Sequence, residues 1–115
     1  MSELAWIDVE EAGARCVLRI HGEIDISNAR EVLAMIQAAV PNGAQAIVVD
    51  LTETTYLDSS GVHLLLLLAD RLRARRQELS LVVPPDVPIR ALLDVAGVPK
   101  LVTIHDHLDA DQAGR

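Results

Sequence analysis

Apolar and polar positions follow three periods along the chain, and each predicts a different kind of element. Residues 4–10 alternate weakly, with Leu4, Trp6 and Asp8 set against Ala5, Ile7 and Val9, and Gly13 follows in an acidic turn. This predicts a short edge strand entering a hairpin. Residues 15–24 alternate more clearly, with Cys16, Leu18 and Ile20 on one face and Val17 and Arg19 on the other, until Gly22 ends or bends the strand. The period then changes to 3.6: Ala29, Val32, Leu33, Ile36 and Val40 form one helical stripe, opened by Asn28 and Glu31 at capping-box spacing and stopped by Pro41-Asn42-Gly43. Residues 46–51 are a nearly unbroken apolar run, Ala46-Ile47-Val48-Val49-Asp50-Leu51. A run of that kind predicts a strand buried on both faces, hence a central one.

The helical period returns over residues 60–77. Val62, Leu65, Leu66, Ala69 and Leu72 share the face that meets the sheet. Leu64 and Leu67 fall on the other side with His63, Asp70 and Arg71, where two leucines outside the core stripe mark a contact surface. Arg71, Arg73, Arg75 and Arg76 crowd the C-terminal end, where cations complement the helix dipole; an anionic ligand site is the alternative. Residues 79–83 predict a strand closed by Pro84-Pro85. Residues 86–96 predict a third helix, with Pro88 in its first turn, Ile89, Leu92 and Leu93 inward and Gly97 at its end. Residues 101–104 predict a last strand, and residues 105–115 a polar tail. The order β, β, α, β, α, β, α, β defines an α/β domain spanning residues 1–115. Its expected sheet is central and mostly parallel, of four to five strands with an antiparallel edge strand and three to four helices.

Composition narrows the function. Half of the 115 residues are apolar, enough for one packed core. Acids outnumber bases by 17 to 10, leaving a net charge of −7, which argues against nucleic acid and suits a basic protein partner. Aromatic residues make up 2% with no Phe, so no stacking platform for bases or flavins is expected. Cys16 is alone and can form no disulfide within the chain. The start Met1-Ser2-Glu3 lacks the basic end and apolar block of a secretory signal, and no apolar run reaches membrane-spanning length. The expectation is a cytoplasmic protein that neither enters a membrane nor carries a cofactor.

The candidate chemistry lies in Thr54-Thr55-Tyr56-Leu57-Asp58-Ser59-Ser60-Gly61, between the central apolar run and the second helix. The first turn of a helix has backbone N–H groups without intrahelical partners and the positive end of the macrodipole, so an acid, a hydroxyl or a phosphate is stabilised there. Gly61 keeps side-chain bulk from the hydroxyls. In the alternative reading Asp58 or one of the serines is only an N-cap, worth about 1 kcal/mol. Loops at the C-terminal ends of parallel strands converge, which predicts Glu23 and Asp25 near Asp58 and Ser59.

Gly22-Glu23-Ile24-Asp25, Val48-Val49-Asp50-Leu51, Tyr56-Leu57-Asp58-Ser59-Ser60-Gly61 and Leu92-Leu93-Asp94-Val95-Ala96-Gly97-Val98 stand in this order over nearly the whole chain. In these pieces the sequence resembles a STAS domain, specifically a bacterial anti-sigma-factor antagonist. In that family the first serine after the aspartate is phosphorylated by an anti-sigma factor that is also a serine kinase. The unphosphorylated form binds the kinase and frees the sigma factor. The resemblance therefore implies phosphorylation at Ser59, supported by Asp58 and Asp25, with a serine phosphatase as a further partner. The expected partner-binding set is Glu23, Asp25, Asp58, Ser59, Ser60, Gly61, His63, Leu64 and Leu67. The family usually continues Ser-Gly with Leu-Gly, whereas this chain has Val62-His63, which adds bulk one turn from the hydroxyl.

Three alternatives follow from the residues. A hydrolase would use Ser59 or Ser60 with His63 and an acid, but Asp-Ser-Ser-Gly is not a glycine-flanked nucleophile elbow, so no enzyme is expected. Metal binding would need closer ligand spacing than His21, His63 and the His105-x-His107 pair supply, so no metal is expected. The nearest rival is a STAS scaffold without phosphoregulation, a subunit of a signalling or lipid-transport complex. His63, Leu64 and Leu67 would then form a permanent interface.

Overall fold

A long strand, β2 (Arg15–Ile24), organises the sheet, because two later strands divide its length between them. In the computed structural model, which describes residues 4–108, β1 (Ala5–Ala12) pairs antiparallel with β2 through the hairpin at Gly13. The helix α1 (Ala29–Ala39) follows, and β3 (Ala46–Asp50) then pairs parallel with the first half of β2, Arg15 to Arg19. A short strand, β4 (Thr54–Leu57), pairs parallel with the second half, Gly22 to Ile24. After α2 (Ser59–Ala74) comes β5 (Glu78–Val82), parallel to β3. The helix α3 (Pro88–Val95), a 3-10 turn (Val98–Lys100) and β6 (Thr103–His105), parallel to β5, complete the described chain.

The α/β class, the antiparallel edge strand and the mostly parallel sheet are as expected; the sheet has six strands rather than four or five. The additional strand is β4, expected as loop. Its Thr-Thr-Tyr-Leu sequence is too short to alternate visibly, and tertiary pairing with β2 makes it a strand. The α2 helix ends at Ala74 instead of running to residue 77. Arg76 turns left-handed at φ +60°, and the Gln77 N–H donates back to the Leu72 carbonyl at 2.8 Å. The Gln77 side chain is buried, and its amide donates to the Pro41 and Ala44 carbonyls, tying this corner to the end of α1.

All three helices bury residues in one apolar cluster with the inward face of the sheet, among them Ile36, Leu65, Leu93, Leu18, Val49 and Leu81. The central β3 is buried on both faces: Ile47 and Val49 point to the helices, Val48 to a second small cluster with Val17 and Val82. Burying a Leu, Ile or Val side chain fully contributes about 1.5–3 kcal/mol, so this layer carries most of the stabilisation. Two helix contacts position the functional end: α1 lies beside α2 on the same face, and α2 also rests on β4. Because α1 covers one flank of α2, Leu64 is 3% exposed and belongs to the core. The expectation that Leu64 stands on a contact surface is therefore corrected: the apolar arc of α2 includes Leu64 and Leu68 and is wider than one stripe. Residues 109–115 of the predicted polar tail lie outside the described residues.

Candidate functional site

The site forms where the ladder between β2 and β4 ends. Ile24 pairs with Leu57, so Asp25 and Asp58 each stand one residue beyond the last pair, on neighbouring strands about 5 Å apart. The sequence expectation that Glu23 and Asp25 approach Asp58 and Ser59 corresponds to this geometry, and the cause is backbone pairing: Glu23 itself is the partner of Tyr56.

Asp58 is the N-cap of α2. Its backbone is extended, and its carboxylate accepts from the Ser60 N–H at 2.9 Å and the Gly61 N–H at 3.4 Å. With the cap made by Asp58, neither serine performs it. Ser59 occupies the first helical position and is exposed; Ser60 is half-buried. Gly61 is buried and does more than keep bulk from the hydroxyls: a Cβ there would lie 2.4 Å from Leu57 Cδ1 and 2.6 Å from Leu57 Cγ. It lets the helix start rest directly on β4.

The Asp25 loop is held by two short networks. Asp25 accepts from the Ser27 hydroxyl at 2.5 Å and the Ser27 N–H at 2.8 Å. These bonds, the hydroxyl first, hold its carboxyl below the ordinary aspartate value of 3.8, with a smaller contribution in the same direction from the Asn28 N–H. Asn28 precedes α1, but its side chain makes no cap hydrogen bond to the helix. The Asn28 side chain, 4% exposed, turns back instead, accepting from the Asp25 N–H at 2.9 Å and donating to the Glu23 carbonyl at 2.8 Å.

The turn closed by Asp25 and Ser27 drives the residue between them outward, so Ile26 is 84% exposed. A cleft of about 350 Å³ joins Ile26, Ala29 and Arg30 to Ser59, Ser60 and His63. It continues into a groove of about 520 Å³ between α1 and α2, walled by Leu33, Ala34, Leu67 and Arg71 among others. His63 is exposed at the junction and Leu67 is half-buried along the groove. Sequence reasoning missed Ile26 and Arg30. Ile26 had a signal, an isoleucine inside the polar run Glu23-Ile24-Asp25-Ile26-Ser27-Asn28. Arg30 had none, since an arginine early in a helix reads as a solvated charge.

The arrangement presents a hydroxyl and carries no hydrolytic triad among the described residues: Ser59 and Ser60 are not hydrogen-bonded to His63, and Asp58 is engaged with backbone N–H groups. Cys16 is buried in the sheet, where burial and then the nearby Glu11 carboxylate push its thiol up, away from the thiolate. Among the described residues no group of three or more His, Cys, Asp or Glu is placed to hold a metal ion, and no helix is long and apolar enough to cross a membrane.

The chain is thus an α/β domain with a mostly parallel sheet, in which an exposed serine follows the capping Asp58 at the head of the second helix. The family model described as "Mlab, STAS domain" matches residues 7–103, and the chain belongs to the STAS domain family. Among solved structures it is similar to an anti-sigma factor antagonist from Mycobacterium paratuberculosis, with 26% identity, a TM-score of 0.80, and coverage of 94% of this chain and 90% of that one. The anti-sigma factor antagonist SpoIIAA in its unphosphorylated form shares the fold at 22% identity and a TM-score of 0.71, covering 94% and 92%. So does the Bacillus SpoIIAA in its phosphorylated form, at 22% identity and a TM-score of 0.65, covering 94% and 96%.

Proposed function

We propose that this chain is a cytoplasmic anti-sigma-factor antagonist that acts by binding rather than catalysis. Unphosphorylated, it docks on an anti-sigma factor with serine-kinase activity, and phosphorylation of Ser59 releases it. The observation that carries this reading is the exposed Ser59 at the first position of α2, with capping already supplied by Asp58 and the Asp25 loop beside it. The 26% likeness to an anti-sigma factor antagonist supports the same reading.

The physics of the switch follows from charge. Phosphate adds about −1.5 to −2. At a helix N-terminus that charge is locally favourable, so the domain keeps its fold. The neighbours Glu23, Asp25 and Asp58 are acidic, so the added charge concentrates a negative field on the surface where Ile26 and the neutral hydroxyl meet the partner. A partner packed there loses its apolar and hydroxyl contacts and faces repulsion. Ser60, His63 and Leu67 flank that surface; Gly61 and Leu64 support it from within. A serine phosphatase restores the neutral form.

The test compares Ser59→Asp and Ser59→Ala by calorimetric binding to the kinase partner and by thermal unfolding. Ser59→Asp is expected to lose binding with Tm unchanged, whereas Ser59→Ala keeps binding and gains no phosphoryl group when incubated with the kinase and ATP. Equal loss of binding and Tm would make Ser59 structural. Persistent binding of a wild-type chain that the kinase never modifies would favour the unregulated scaffold, a reading to which the exposed His63 gives a specific contact.

A further inference from the structure

The strand β4 is an open sheet edge. It pairs with β2 on one side and with no other strand among the described residues. Beside it lies a groove of about 480 Å³, walled by Tyr56 and Leu57 of β4, by Val87 and by Pro88, Ile89 and Leu92 of α3. Exposed edges normally carry charge or are very short, because unpaired N–H and C=O groups invite another strand. The outer edge strand β1 follows that rule, with Asp8, Glu10 and Glu11 among its eight residues, and β6 is three residues long. β4 is also short, at four residues, but it has no charged residue, and its Tyr56 is 48% exposed.

A strand edge beside an apolar helix wall is the arrangement by which an extended peptide is bound: the main chain supplies hydrogen bonds, and alternate side chains enter the groove. Charge selects the peptide. Glu53 precedes β4, Asp58 follows it and Asp86 precedes Val87, while no Lys or Arg lines the groove. We propose that β4 accepts an extended segment of a partner protein, with alternating β-branched residues and basic residues at its ends, as an added strand against α3. The site uses a surface other than the cleft at Arg30 and His63.

The test uses the full chain, labelled with 15N and with 13C at its methyl groups, and the synthetic probe acetyl-Lys-Val-Thr-Val-Thr-Arg-amide. Titration to millimolar peptide is expected to shift the Thr55 and Tyr56 amides and the Val87 and Leu92 methyls, and to slow amide exchange in β4. The same peptide N-methylated at alternate residues keeps its side chains and loses its donors, and it should bind about tenfold more weakly or worse. Leu92→Lys should remove binding at unchanged Tm, with Val87→Lys as the second variant if Leu92→Lys unfolds, while Ser59→Asp keeps it. The proposal is overturned if β4 and α3 show no shifts, if the N-methylated peptide binds equally well, or if the shifts fall in the groove between α1 and α2.

Discussion

The two helices that frame the serine start in opposite ways. At α2 the residue before the helix, Asp58, caps it in the ordinary manner and leaves the next side chain, Ser59, facing out. At α1 the corresponding residue, Asn28, turns its side chain away from the helix and bonds to Glu23 and Asp25. One start spends its polar side chain on the helix and the other on the loop, and the result is a rigid loop beside a presented hydroxyl. The side chain at a capping position can therefore serve the segment before it instead of the helix after it.

The largest expected effect is at the bend leading into the α1 start. Gly22 has φ +94°, and a Cβ there would meet the Leu4 carbonyl oxygen at 2.0 Å. Gly22→Ala should destabilise the domain by about 3 kcal/mol, read as a fall in Tm of roughly 10 °C or more. Next is Asn28→Ala, which leaves the part-buried Glu23 carbonyl and Asp25 N–H without their side-chain partner and should cost about 1–2 kcal/mol in denaturant unfolding. Asn28→Asp sharpens the comparison. Aspartate is as good an N-cap as asparagine, yet it cannot donate to the Glu23 carbonyl, so a comparable loss is expected; wild-type stability would mean that Asn28 is a plain cap after all.

Smaller again is Asp58→Ala, with an expected loss of about 1 kcal/mol that Asp58→Ser restores, as for any N-cap. The smallest effect is the pH response of Asp25. Its folded value is lowered, so its contribution is present above the ordinary value of 3.8 and is lost as pH falls through the lower folded value. Carboxyl NMR titration should place Asp25 below 3.8, and Ser27→Ala should move it back up, because the Ser27 hydroxyl is the leading cause.

Most of the fold was legible because its apolar periods are clean: β2 matches residues 15–24, and the buried run of β3 announces a central strand. The departures have local causes. Nothing in Thr54-Thr55-Tyr56-Leu57 marks it as paired, since its partner is the far half of β2. Arg76, a residue that rarely turns left-handed, ends α2 where a sequence reading expects glycine. Leu64 was misplaced because a helical wheel shows one stripe and does not show that α1 covers its flank. Of the proposed site, Ser59 and Asp58 drew notice by their polar crowding at a helix start, and Asp25 by the convergence of strand-end loops. Ile26 and Arg30 emerged only once the loop's turn and the cleft had shape.

The shared use of β2 has a consequence for how such a domain can change. The spacing between Asp25 and Ser59 is written in main-chain pairing of Ile24 with Leu57, which side-chain replacement does not erase. The decorations around the hydroxyl can therefore be exchanged to suit a new companion while the hydroxyl stays at the same address.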